Sequence, residues 1–255
     1  MVLCVRLRQV VAFAGRYPLL AGVDLDVAEG EVVVLRGANG AGKTSLLRAV
    51  AGLLPISSGE ASVLGLDPVR DARALRRRVG LLGHRNGLYE DLSALDNVRF
   101  AARAAGAPKA AAGPALERLG LTGRLADLAV GRLSAGQRRR VALAMLAARQ
   151  PELWLLDEPH AGLDASHRHL LDQLLREAAA GGATVVLASH EAAVSTALAG
   201  RTLAVAGGTV VGGLLADELG PPTDHQVGPP AGQVGAVSRE GVGPAPLAQA
   251  GFHVA

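Results

Sequence analysis

Gly37-Ala38-Asn39-Gly40-Ala41-Gly42-Lys43-Thr44 has the spacing G-x-x-x-x-G-K-[ST], the pattern of a phosphate-binding loop. Its glycines let the backbone curl so that successive N–H groups point at phosphate oxygens. Lys43 is placed to reach β- and γ-phosphates, and the Thr44 hydroxyl to ligate Mg²⁺. The flanks give the match its meaning. Before it, 31–36 (EVVVLR) is a β-branched run that predicts a buried strand; after it, 45–51 (SLLRAVA) predicts a helix. The helix N-terminus adds partial positive charge where phosphate would lie. Gly37, Asn39, Gly40, Gly42, Lys43, Thr44 and Ser45 are therefore the candidate nucleotide-binding residues here.

Working outward, composition narrows the classes. A chain of 255 residues, 49% hydrophobic but only 2% aromatic, has ample core, and that core must be built from Leu, Val and Ala. The net charge of +3 is too mild and scattered to argue nucleic-acid binding. The single cysteine, Cys4, excludes an intramolecular disulfide framework and fits a reducing compartment. The N-terminus lacks a signal-peptide layout. The uncharged run 202–216 is short and interrupted by glycines, so it is not expected to span a membrane.

Residues 3–11 and 23–27 read as strands around a turn at Gly15-Arg16-Tyr17-Pro18. Phe13, or alternatively Tyr17, is a candidate to stack on adenine. A short strand is expected at 61–64, and another beginning at Val79 and running into the polar, glycine-bounded loop around His84. The Ala- and Leu-rich segment from about 90 to 132, broken by Gly and Pro, reads as short helices, with Ser93 capping the first.

Leu133-Ser134-Ala135-Gly136-Gln137 precedes a helix-forming run, 138–149, and Ser134 reads as its N-cap, a second helix start able to face an anion. Two such starts suggest that one nucleotide meets both. Leu153-Trp154-Leu155-Leu156-Asp157-Glu158 is an apolar strand ending in two carboxylates, a pairing that calls for a cation or a reaction. Asp157 is the candidate Mg²⁺ ligand, and Glu158 is free to orient or deprotonate water. A turn at 161–164, a helix over 165–180 and a strand over 183–189 follow, with His190 at the strand's carboxyl end, where ligands bind in open α/β sheets. From about 220 the chain is dominated by Gly, Pro, Ala and Val and reads as a disordered tail.

The ordered set of phosphate loop, 133–137, 153–158, 161–164 and His190 resembles the ATP-binding subunit of ABC transporters over about residues 3–210. That resemblance implies an α/β phosphate-loop NTPase fold across 1–219. It would have a RecA-like core, an N-terminal antiparallel β subdomain and a helical subdomain inserted at about 90–132. It also implies that two copies dimerise head to tail, holding ATP-Mg²⁺ between the phosphate loop of one and Ser134, Gly136 and Gln137 of the other. Lys43, Glu158 as general base and His190 as the γ-phosphate switch would be catalytic; Thr44 and Asp157 would hold the metal. The partner would be a transmembrane subunit, placing this chain at the cytoplasmic face of a membrane. One position departs: His84 stands where the family usually carries Gln to touch Mg²⁺ or the attacking water, and imidazole titrates where an amide does not. The segments 82–88 (LGHRNGL), 92–97 (LSALDN) and 133–144 (LSAGQRRRVALA) are similar to the haem-exporter ATPases of cytochrome c maturation (CcmA type), which implies a CcmB-like permease. A drug or lipid export ATPase would keep the same catalytic residues. A non-transport ABC ATPase acting on DNA or ribosomes usually shows two cassettes or a long coiled coil. This chain has one cassette and no heptad run, so no nucleic acid is expected.

Overall fold

The structure, a computed structural model, describes residues 2–190, 198 and 200–214. The expected tail at 220–255 lies outside them. Strands β1 (Leu3–Ala14) and β2 (Tyr17–Ala28) form an antiparallel hairpin. Its turn is tighter than the sequence suggests, because Tyr17 and Pro18 already pair with Ala14 and Phe13. Strand β3 (Val32–Arg36) leads through the phosphate loop into α1 (Lys43–Val50). Then come β4 (Ser58–Val63), α2 (Ala72–Arg78) and β5 (Val79–Leu82). Helix α2 has no counterpart in the sequence reading. Its run of arginines offers only Leu75 to the core, too weak an apolar stripe to stand out by periodicity.

The segment that follows is helical: α3 (Ala94–Ala104), a 3₁₀ turn at Lys109–Ala111, α4 (Ala112–Arg118), α5 (Arg124–Asp127) and a second 3₁₀ turn at Val130–Arg132. Ser93 caps α3, its Oγ accepting from the Asp96 N–H at 3.0 Å. Helix α6 (Ala135–Arg149) leads to β6 (Leu153–Asp157), α7 (Ala165–Ala180), β7 (Thr184–Ala188), β8 (Arg201–Ala206) and β9 (Thr209–Leu214). The run 202–216, whose glycines argued against a membrane span, contributes to the β8–β9 hairpin, with Gly207-Gly208 between the two strands.

Two sheets result. One is antiparallel, ordered β2-β1-β4; the other has six strands, ordered β5-β6-β7-β3-β8-β9, parallel except for β9. The parallel strands read as unbroken apolar runs because both faces are covered. Val34, Trp154, Leu156, Val185 and Leu187 belong to the core beneath the helices, whereas Val33, Leu35, Leu153, Leu155 and Val186 face the core shared with α1 and the antiparallel sheet. The chain leaves β3 toward β5 on one side, whereas it leaves the adjacent β7 toward β8 on the other, so the connections from these two neighbours diverge. This is the switch point at which open α/β sheets take ligands, at the strands' carboxyl ends.

Candidate functional site

Four carboxyl ends of adjacent strands meet at one edge of the parallel sheet: the phosphate loop after β3, the His84 loop after β5, Asp157-Glu158 after β6, and Ser189-His190 after β7. Backbone bonds tie the neighbours together, Ser189 N–H to Leu35 O at 3.0 Å and Glu158 N–H to Ala188 O at 3.0 Å.

In the loop, Gly42 precedes α1 with φ +110, a conformation L side chains rarely adopt. A Cβ there would also lie 3.1 Å from both Leu19 O and the Gly208 Cα, so glycine is required twice over. Lys43 is buried, its Nζ donating to Gly37 O at 2.7 Å and Ala38 O at 3.0 Å, which holds the ammonium against the loop's own backbone. Thr44 Oγ1 donates to Asp157 Oδ2 at 2.8 Å, bringing the two sequence-predicted metal ligands, 113 residues apart, into direct contact. They form a pair of hard oxygen donors beside the loop. Glu158 Oε1 is 2.9 Å from His190 Nδ1. A carboxylate only accepts, so Nδ1 is the donor in this contact. Glu158 itself has φ +46, an uncommon state for a residue with a Cβ.

Ser134 caps α6 reciprocally: its Oγ accepts from Gln137 N–H at 3.2 Å while Gln137 Oε1 accepts from Ser134 N–H at 2.8 Å. The Gln137 amide oxygen is thus engaged within the helix start, and its NH₂ group is the part left for a ligand. The helix begins at Ala135, directly after the expected Ser134 cap and ahead of the strong helix formers that start at Arg138. Gly136 lies against the turn before α7, where a Cβ would come within 2.9 Å of Gly162 O. Asp164 caps α7, and the Ser166 hydroxyl together with the His167 N–H and ring holds its carboxyl well below the usual range.

Phe13 (44% exposed) and Tyr17 (78% exposed) both stand at the tip of the β1–β2 hairpin, next to the stretch whose Leu19 carbonyl abuts Gly42. His84 is exposed in the loop after β5.

Sequence reasoning gave no role to three buried polar residues, two of them, Arg139 and His160, close to this edge. Arg139 reads as part of an arginine run, yet it turns inward and donates to the backbone of both Asp157 and Glu158. Burial pushes its pKa down, against the raising effect of the Asp157 and Glu158 carboxylates. Asn97, fully buried, fastens segment 89–93 onto α3. His160, buried between Glu158 and the 161–164 turn, contacts Asp172 Oδ1 at 2.8 Å through Nε2. Arg139 and His160 each lie two places beyond a motif and carry no signal of their own, and Asn97 is one polar residue in a quoted segment; only burial reveals their roles.

The model of the ABC transporter family matches residues 20–161. The cytochrome c biogenesis ATP-binding export protein CcmA of Bordetella bronchiseptica is 47% identical over 180 residues, 69% of this chain and 77% of that one. The protein of the same name from Rhodopseudomonas palustris is 40% identical over 193 residues, 76% of this chain and 93% of its own. Among solved structures, the ATP-binding cassette MJ0796, captured as a dimer in a post-hydrolysis state with ADP and Pi, superposes with a TM-score of 0.76. It is 28% identical in sequence, and the match covers 84% of this chain and 100% of that one.

Proposed function

The chain belongs to the ABC transporter ATPase family, and from that premise we propose that it powers a haem-exporter-type transporter serving cytochrome c biogenesis. That it is the ATP-binding and hydrolysing subunit of an ABC transporter follows from the family. The export pathway is inferred from relatives named for it, together with the resemblance of the segments around His84 and Ser134 to that subgroup.

We assign the chemistry to the strand ends. The phosphate-loop N–H groups and Lys43 bind the β- and γ-phosphates. Thr44 and Asp157 fit a Mg²⁺ ion, which takes a few hard oxygens from protein and the rest from phosphate and water. Such an ion would neutralise charge on the phosphate oxygens. Glu158 accepts a proton from water as the water oxygen bonds to the γ-phosphorus and the bond to the ADP oxygen breaks, leaving ADP and phosphate. His190 holds the Glu158 carboxylate through Nδ1–H, and an Nε2–H of the same ring would donate to a γ-phosphate oxygen. Stabilising the transferred phosphoryl group is electrostatic work for fixed dipoles and cations. The observation that carries this reading is the pair of contacts Thr44–Asp157 and His190–Glu158 at one sheet edge.

Two copies would enclose ATP, Ser134, Gly136 and Gln137 of one facing the phosphate loop of the other; the dimeric form of the cassette MJ0796 supports that arrangement. Among the described residues no helix is long and apolar enough to cross a membrane. We assign the membrane component to a separate permease of CcmB type, which would hold this subunit at the cytoplasmic face, on the strength of relatives named as export ATP-binding proteins. Its docking surface is the His84 loop together with Tyr89, Leu92 and Phe100, which are exposed, Tyr89 and Phe100 meeting edge to face at 5.2 Å. Pull-down of tagged Glu158→Gln chain from native membranes with ATP-Mg²⁺ tests the assignment. Recovery of an integral membrane protein with cytochrome c maturation factors is expected; a different permease would replace the pathway, and ribosomes or DNA alone would overturn the transporter role.

A further inference from the structure

Arg139 is 6% exposed and lies five positions beyond Ser134, in the second turn of α6. Nη1 donates to Gly83 O at 2.8 Å and Asn86 Oδ1 at 3.1 Å. Nη2 donates to Asp157 O and Glu158 O, each at 2.8 Å. Nε is buried without a partner. The fork thus joins three segments: the helix whose start is Ser134, the loop carrying His84, and the end of the strand carrying Glu158. A guanidinium does this because its donors diverge from a rigid plane; an ammonium offers a single point.

A buried charge is costly, and the neighbouring buried positions Val141, Leu143 and Leu146 show that an apolar side chain would serve packing alone. What Arg139 supports is an unusual backbone. Glu158 at φ +46 persists because its surroundings fix it: its N–H donates to Ala188 O, and its carbonyl accepts from both Arg139 and Ala161 N–H at 3.2 Å. The direction of the base's side chain follows from that backbone.

We propose that Arg139 is a positioning residue that couples the two ATP sites of the dimer. The inference rests on the enclosed-ATP arrangement proposed above. In that arrangement the start of α6 faces the nucleotide on the partner's phosphate loop, while Arg139 on the same helix holds this copy's own Glu158. Occupancy of one site therefore biases the base of the other, and reciprocally so for binding. The His84 loop, held by the same fork, receives the same displacement.

The test compares full-length parent, Arg139→Lys and Arg139→Gln by melting temperature, by binding of a fluorescent ATP analogue at low protein concentration, and by phosphate release against ATP concentration. Folded variants should bind nucleotide like the parent. Their kcat should fall roughly 100-fold, the loss expected when a reacting group is misplaced by about 1 Å. The deciding readout is the Hill coefficient, which should drop from above one to one. A kcat loss with an unchanged Hill coefficient would reduce Arg139 to a structural residue and overturn the proposal, as would parental values for both. If neither variant folds, Asn86→Ala removes the fork's one side-chain acceptor and leaves the Gly83, Asp157 and Glu158 carbonyls in place; a partial fall in Hill coefficient is expected, and an unchanged value overturns the coupling. A parent that shows neither ATP-dependent dimers nor cooperativity would sink the enclosed-ATP reading itself, whereas a cooperative parent with equally cooperative variants sinks only the role of Arg139.

Discussion

Replacing Asn97 with alanine should loosen the segment that we assign to the membrane partner while sparing nucleotide binding. The Asn97 amide accepts from Tyr89 N–H at 2.8 Å and donates to Tyr89 O, Leu92 O and Ser93 O at 3.0, 3.3 and 2.9 Å. The three carbonyls each keep another donor: Leu92 N–H for Tyr89 O, Val130 N–H for Leu92 O, and the Asn97 N–H for Ser93 O. Tyr89 N–H has no other partner among the described residues. Stranding one part-buried donor costs about 1–3 kcal/mol, and the higher helix propensity of alanine returns about 0.5 kcal/mol. With a small contribution from the lost amide volume, the net destabilisation is about 2 kcal/mol. For a domain of this size that corresponds to a fall in Tm of roughly 4–8 °C. Thermal unfolding followed by circular dichroism measures it, alongside ATP affinity of the isolated chain and the ATPase stimulation given by the permease. A Tm within about 1 °C of the parent would refute the claim that this amide holds 89–93 in place. Intact stimulation by the permease would separate the segment from docking.

The remaining predictions address the site and the acid limit. Glu158→Gln keeps an acceptor for His190 Nδ1–H but no longer takes a proton, so ATP binding should persist while phosphate release falls by about 10²–10⁴-fold; turnover like the parent's would remove Glu158 from the base role. Lys43→Ala should weaken ATP binding measured by calorimetry, and unchanged affinity would mean that the loop binds something else. The carboxyl groups of Asp26, beside Arg8, and Glu152, beside Arg78, sit below their ordinary range, chiefly through those hydrogen bonds. Because the folded values are lowered, the stability they confer is present above the unfolded pKa near 4 and is lost as pH falls below it. Tm should hold level from neutral pH to about 5 and drop below about 4, less steeply in Asp26→Asn; an acid limb unchanged in that variant would exclude the Arg8 pair as a contributor.

The recurring theme in these positions is range along the chain. The phosphate loop, the cap of Ser134 and the strand ending at Asp157 were legible in the sequence because each is specified by neighbours within a few residues: glycine spacing, a capping side chain, an apolar run meeting carboxylates. The resemblance carried by these ordered motifs likewise implied an α/β fold, and the residues after the strands pointed to ligands at strand ends. Tertiary structure alone decided which distant groups meet. It set Thr44 on Asp157 and His190 on Glu158, turned Arg139 out of an apparently solvated arginine run into the join between three segments, and buried Asn97 under its loop. It also gave the weakly amphipathic α2 its helical form between β4 and β5. The physical reason is that burial of a polar group depends on packing between elements far apart in sequence, which no local pattern records.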